Sequence, residues 1–394
     1  MRCPAAAPAA GLMLAAPAGH DARLLSLGAA SKPRCAPATE PETFSMTDQV
    51  AVILGGTGMV GANMAQLLDR VGAWDVTIVS RRAPEFATQA RHVACDMSDA
   101  DDCARVLGAL TGTTYIFWTG HATGTRWVDK AARDTDLFHN AMTAIEPACP
   151  QLQHVCLLQG SKYYGRHLGP FKTPAKESDP RHFPPNFYYT QQDFLEQLAQ
   201  GKRWSYSLMR PHIVCGYART DINLPKPIAV YATLCKKLGL PLKYPGPEAA
   251  YRAVHCASDV ELLNKGMLWA ATTPTAANEA FNMVNGDHFR WQYLWPKIAD
   301  YFDMSCGDVQ TIDLELMMAD KEALWDEIVQ EHGLLPTPFA EAASWSFANY
   351  AFAPTWDIML DNTKARQHGF DEFVDSEQMF MRIFDSFRVQ RFIP

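Results

Sequence analysis

Apolar positions in the first half of the chain fall into short continuous runs separated by helical stripes. Gln49–Leu54 is a β-branched and aliphatic run closed by glycines, which predicts a buried parallel strand. Met59–Val71 has helical spacing, with Val60, Met64, Leu67, Leu68 and Val71 on one face. Trp74–Val79, Thr114–Trp118 and His154–Leu158 read as further strands, and the long stretch Thr125–Ile145 between the last two as a helix. Phe194–Gln200 reads as the continuation of a helix, and Ser205–Arg210 as a strand ending in Arg210-Pro211. Such alternation predicts an α/β fold, a Rossmann-type doubly wound parallel sheet.

Beyond Gly216 the pattern changes. Prolines punctuate at 225, 227, 241, 245 and 247, and helical segments are predicted at Ile228–Lys237, Asp259–Ala271 and Trp291–Phe302. Tyr244–Gly246 and Ala280–Val284 read as short returns to the sheet, and the rest, to Pro394, as helical and aromatic-rich. The expected organisation is a dinucleotide-binding domain over 48–216 and a smaller, mostly helical substrate lobe over 217–394. Residues 1–47 are a different material, dominated by Ala and Pro. A disordered tail, an organelle transit peptide and an extension ahead of Met46 all fit, the tail and the extension better than the targeting peptide. The fold is expected to start near Thr47.

Composition narrows the function. With 394 residues and 48% apolar content, the chain can bury a large core. A net charge of −8 argues against nucleic acid or an anionic membrane as partner. The ten cysteines are scattered, without a Cys-x-x-Cys pair or clustering with histidines. That is the usage of a reducing compartment, here taken as cytoplasmic, with no metal site and no disulfide framework expected.

The first strand opens into Gly55-x-x-Gly58-x-x-Gly61. Glycines at this spacing allow a tight turn, close backbone approach to a pyrophosphate, and packing of helix on sheet. Thr57, Met59 and Val60 belong to the same turn. At the end of the second strand an acidic residue would hold the ribose diol of NAD, but this chain has Ser80, Arg81 and Arg82. Two guanidiniums there suit a 2′-phosphate and stack on adenine, which points to NADPH. Asp96 and Met97, after the third strand, are expected beside the adenine ring. Gly120, Tyr188, Pro211 and Val214 complete the expected cofactor set.

A dinucleotide-binding chain of short-chain dehydrogenase type usually takes its acid from a Tyr-x-x-x-Lys pair on one helix. The one match here, Tyr293-x-x-x-Lys297, lies far past the sheet domain, contains Pro296 and sits on a segment that reads as a peripheral helix. Lys162 instead follows the strand His154–Leu158, at the carboxyl ends of the strands where such enzymes open their sites. Tyr188 falls close to where the usual tyrosine would be. Together they are the candidate acid and its electrostatic support.

With those residues in view, the chain resembles the progesterone 5β-reductase/iridoid synthase family of atypical, extended short-chain dehydrogenases. The matching elements are Gly-Gly-Thr-Gly-Met-Val-Gly at 55–61, Ser-Arg-Arg at 80–82, Cys-Asp-Met-Ser-Asp at 95–99 and Gly-Ser-Lys-Tyr-Tyr at 160–164. Gly-Pro-Phe at 169–171, Asn-Phe-Tyr-Tyr at 186–189, Arg210-Pro211, the run Asn278–Asp287 and Glu331-His-Gly-Leu also fit. The resemblance implies NADPH-dependent 1,4-reduction of an enone or enal, with Lys162 and Tyr188 as the functional residues. It implies no nucleic-acid or membrane partner and allows a homodimer. His121, Tyr164, Phe171 and Phe347 are the expected substrate-pocket residues.

Departures from the family pattern fall around that pocket. His121 stands at or beside a common tryptophan, Gly165 replaces a bulky residue, three residues are inserted before Gly169-Pro170, and Leu158 replaces a glutamine near the cofactor. Steroid or iridoid substrates are therefore not carried over, and His121 reads as a pocket-lining or solvent-facing imidazole ahead of a second polar contact to substrate. Two rival readings remain: a nucleotide-sugar epimerase or dehydratase, which would want Tyr-x-x-x-Lys and NAD, and a non-catalytic NADP-sensing regulator, which would need neither Lys162 nor Tyr188.

Overall fold

The strand runs of the sequence assemble into one parallel sheet. In this computed structural model residues 49–122, 126–217 and 223–394 are described, and they lie in one compact unit, Ser45–Pro394. The expectations for residues 1–47 and for a helix start at Thr125 fall outside the described residues. The strands are β1 (Val50–Leu54), β2 (Asp75–Ser80), β3 (Arg91–Ala94), β4 (Tyr115–Trp118), β5 (His154–Leu158), β6 (Ser205–Arg210), β7 (Val214–Cys215), β8 (Ser258–Asp259) and β9 (Glu279–Asn282). Seven of them form a sheet in the order β3-β2-β1-β4-β5-β6-β9, every pair parallel, while β7 and β8 pair separately.

Each central strand is buried on both faces, and the two-residue side-chain period splits it between two cores. Ile53, Phe117, Cys156 and Met209 meet α1 (Met59–Val71) through Met64 and Leu68, together with Leu263 and Met267. Val52, Leu54, Trp118 and Leu157 meet the opposite layer, which after α2 (Ala100–Val106) consists of α3 (Trp127–Ile145) and α4 (Phe187–Leu198). A third core, rich in aromatics, joins α5 (Pro225–Lys237), α6 (Glu248–Arg252) and, past α7 (Val260–Thr272), which packs in the first core, α8 (Trp291–Tyr301) and the chain beyond it.

Sequence and structure differ at three elements. Tyr244–Gly246 does not return to the sheet: Pro241, Pro245 and Pro247 remove ladder donors around it, and Tyr244 is instead buried among Tyr251, Trp291, Trp295 and Phe352. Pro225 and Pro227 open α5 rather than interrupt it, since a first helical turn has no use for those N–H groups. The helix that Phe194–Gln200 is expected to continue begins at Phe187, capped by Asn186, and ends earlier, at Leu198. The return at β9 is found, beside β6.

Chain direction across the sheet reverses between β1 and β4, the switch point where α/β sheets open a crevice at their carboxyl ends. Gly55 stands there at φ 88°, and a Cβ on it would lie 2.5 Å from the Gly120 Cα. No described helix is long and apolar enough to cross a membrane. The described cysteines form no disulfide.

Candidate active site

The carboxyl ends of β1, β2, β4, β5 and β6 gather the residues expected at the site. The turn after β1 is a glycine cradle: Gly58 caps α1 without a side chain, and a Cβ on Gly61 would meet Gly56 and the Gly55 carbonyl. Thr57 and Val60 are half-buried and Met59 is buried. At the end of β2 the Ser80 hydroxyl donates to the Arg82 carbonyl at 2.7 Å, which shapes the loop and leaves both Arg81 and Arg82 exposed. Asp96 accepts from the Ser98 hydroxyl at 2.7 Å and its amide at 3.0 Å. These bonds hold its carboxyl below the usual range, and the field of Arg81 adds to them against burial. Met97 is buried with its methyl facing Gly120.

Lys162 lies on the 3-10 turn Ser161–Tyr164 that follows β5, and Tyr188 on the first turn of α4. The Tyr188 hydroxyl lies against Gly160, 2.9 Å from where a Cβ would be. Two side chains fix the backbones of this pair. Asn186 donates from Nδ2 to the Lys162 carbonyl at 2.8 Å and accepts from the Tyr188 amide at 3.1 Å. Gln159 donates to the Tyr188 carbonyl at 3.0 Å and accepts from Arg210 Nε at 2.9 Å. Pro211, also buried, accepts from the Ser161 amide at 2.8 Å, and Val214 follows on β7.

The Lys162 ammonium has no hydrogen-bond or ion-pair partner among the described residues. It lies 4.9 Å from the Trp127 ring centroid and 5.6 Å from that of Tyr350. Burial, then the positive charges of Lys130 and Arg166, push its pKa down to about 8 against the opposing field of Asp134. Burial, then the Asp134 carboxylate and Tyr350, raise the Tyr188 phenol, so it stays protonated at neutral pH. Asp134 is itself fully buried. Burial would raise its pKa, but His121 at 3.2 Å, Lys130 at 3.1 Å and the Ala122 amide at 2.6 Å together lower it.

The expected pocket residues divide. His121 is half-exposed, but its Nδ1 is committed to Asp134 and its ring leans on Phe187. Phe171 packs against the small aromatic cluster that also takes in Tyr188 and Trp356. Phe347 is half-buried one turn before Tyr350. Tyr164, by contrast, is buried with its hydroxyl donating to Asn282 at 2.6 Å and accepting from Arg210 at 3.2 Å. Leu158 is half-buried against the sheet core.

Tyr293 is 63% exposed on α8, and Lys297 is ion-paired with Glu377. The structure does not bring either to Lys162 or Tyr188 in any contact. Sequence reading quoted Asn186 within its motif without giving it a role, and missed Gln159, Asp134, Arg166 and Tyr350. Asn186 alone carried a signal, an Asn directly before an aromatic-rich helical run.

The sheet order, the glycine turn at the switch point and the carboxyl-end site define an extended short-chain dehydrogenase fold. Residues 96–394 match the family described as the PRISE-like Rossmann-fold domain, and the chain belongs to that family. It is 34% identical over 369 residues to an (S)-8-oxocitronellyl enol synthase of Camptotheca acuminata, covering 88% of this chain and 93% of the relative. It is 33% identical over 380 residues to a 3-oxo-Delta(4,5)-steroid 5-beta-reductase of Arabidopsis thaliana, covering 90% and 96%. Among solved structures, the UDP-glucose 4-epimerase of Thermotoga maritima superposes with a TM-score of 0.63 at 16% identity, over 86% of this chain and 99% of that one. The Bordetella bronchiseptica enzyme WbmH, solved with NAD+, gives 0.59 at 16% identity, over 86% and 98%. These structures share the fold.

Proposed function

We propose that this protein is an NADPH-dependent reductase of α,β-unsaturated carbonyl compounds that acts by 1,4-addition. The observation that carries the reading is the pairing of Tyr188 and Lys162 through Asn186 at the carboxyl end of β5. The names of the two relatives, an enol synthase and a reductase of a 3-oxo-Delta(4,5)-steroid, support it.

The residues present fit a dinucleotide. The Gly55–Gly61 turn would hold the pyrophosphate, Arg81 and Arg82 the adenosine 2′-phosphate, and the crevice beside Gly120 the adenosine. When bound, NADPH supplies hydride to the substrate β-carbon. Negative charge then gathers on the carbonyl oxygen, where Tyr188, protonated, donates its hydroxyl hydrogen bond. Lys162, an ammonium without an ion-pair partner among the described residues, makes the potential there more positive and favours the enolate. The α-carbon takes its proton from solvent, so no second acid is needed.

The test is product identity. Incubation of a simple enone with NADPH yields the saturated ketone with hydride on the β-carbon. An allylic alcohol as principal product overturns the reading.

A further inference from the structure

Gly165, left-handed at φ 82°, turns the chain sharply after Tyr164 and folds the next residue inward. That residue is Arg166. It is 2% exposed, and neither Nε nor Nη2 has a hydrogen-bond partner among the described residues. Those two nitrogens form one edge of the guanidinium, the fork that fits two oxygens of a carboxylate.

The guanidinium lies 4.4 Å from the Tyr350 ring centroid, and Lys162 lies 5.6 Å from the same ring. The Tyr350 hydroxyl is also buried without a partner. So are both ring nitrogens of His167, whose imidazole burial keeps neutral at a pKa of about 4. A fork and an ammonium thus flank one ring, and among the described residues neither they nor that ring's own hydroxyl has anything to bond. A cation–π contact is weaker than the penalty for burying an unpaired ion, and water satisfies hydrogen bonds but supplies no charge.

Among the described residues, no carboxylate is ion-paired with Arg166 or Lys162. Lys162, His167, His212, His255 and Cys256 all feel the field of Arg166, and none of them is a carboxylate. Asp134, which faces Lys162, is taken by His121, Lys130 and the Ala122 amide. Asp357 and Asp287, farther out, accept from Val254 and Ser376. One enolate oxygen, met by Tyr188 and Lys162, leaves the Arg166 fork unused.

We propose that the Arg166 fork, beside Lys162, is a recognition site for a carboxylate, so that the substrate is an enone bearing a carboxylic acid. The substrate class rests on the reductase reading above, whereas the anion site rests on the buried fork alone.

The experiment compares linear enones carrying a terminal carboxylate at varied distance with their methyl esters. The wild-type protein favours an acid over its ester by about 10- to 100-fold in kcat/KM, the range for a charge-assisted bidentate pair. In Arg166→Met that ratio falls to about one, and Arg166→Lys keeps part of it. A ratio near one in the wild type, or one unchanged in Arg166→Met, overturns the proposal. So does an equal loss of NADPH affinity in Arg166→Met, which would assign the fork to the cofactor. If neither acid nor ester is reduced, the reductase reading fails by itself. The anion site is then decided by Trp127 fluorescence titrated with a saturated keto acid: binding lost in Arg166→Met sustains it, and no binding removes it.

Discussion

The side chain of Asn186 donates to the carbonyl of Lys162 at 2.8 Å. The same side chain caps α4 by accepting from the Tyr188 amide, so one residue sets the positions of both groups proposed to meet the substrate oxygen. Asn186→Ala loses cap and tether together. It should cost about 1 kcal/mol of stability as a lost cap and slow turnover as well. Asn186→Asp keeps an acceptor for Tyr188 but has no donor for Lys162. Its melting temperature should lie near wild type while its turnover stays low. Equal melting temperature and equal turnover for Asn186→Asp and wild type would remove the tether from the mechanism.

Gly160 tests the position of the phenol. Its φ of 174° is extended backbone, so alanine there brings no conformational strain. The added methyl would instead meet the Tyr188 hydroxyl at 2.9 Å and the Pro211 carbonyl at 3.5 Å. Gly160→Ala should therefore fold with near-normal thermal stability and reduce kcat more than it raises KM. A drop in melting temperature with normal kcat would contradict this placement.

How much of this was legible follows from what each feature depends on. Continuous apolar runs and the glycine turn are local signals, and β1, α1, β5 and β6 follow them closely. The start of α4 stays unplaced in the sequence, because Asn186 in the Asn-Phe-Tyr-Tyr motif is not read as a cap. Lys162 and Tyr188 could be named from spacing and resemblance, but their geometry depends on Asn186 and Gln159 reaching across the chain. Arg166 carried no signal at all, because a buried unpaired arginine and a solvated loop arginine look alike in sequence. Tyr164 looked equally like a pocket residue, and only the fold reveals the Asn282 and Arg210 partners that occupy its hydroxyl.

The pH dependence should report Lys162. Its pKa is depressed from 10.5 to about 8, and the charged form is the one that favours the enolate. Below that pH the ammonium is complete, so kcat/KM should fall as pH rises through about 8. Lys130 and Arg166 lower this pKa and Asp134 raises it, while His167 nearby stays neutral. Lys130→Met removes a positive neighbour, so its alkaline limb should shift to higher pH. A limb that stays in place in Lys162→Met would belong to another group.

The proposed preference for NADPH is assigned to Arg81 and Arg82, exposed at the end of β2. Replacing both with alanine should weaken NADPH by roughly 1.5–3 kcal/mol for each charged hydrogen bond lost, with NADH almost unaffected. Fluorescence titration of the two reduced cofactors measures this directly. Equal losses would mean that the arginines act on something common to both.

The roles of Tyr188 and Lys162 are separable from those of their neighbours. Tyr188→Phe removes the hydroxyl and keeps the ring, so turnover should fall by roughly 10²–10³, the cost of one oxyanion donor, with cofactor binding retained. Lys162→Met should slow the same step because it leaves no charge beside the enolate. Tyr189→Phe is the contrasting case. The Tyr189 hydroxyl donates to the Tyr163 carbonyl at 2.5 Å and accepts from the His182 amide at 2.7 Å. Its loss should lower stability by about 1–3 kcal/mol and leave the chemical step near wild type. Lys297→Met, which breaks an exposed ion pair with Glu377, should change neither by much. Single-turnover NADPH oxidation beside thermal melts distinguishes the four variants. If Tyr188→Phe keeps the wild-type rate while Lys297→Met does not, the acid is on α8 and the site described at β5 is not the active one.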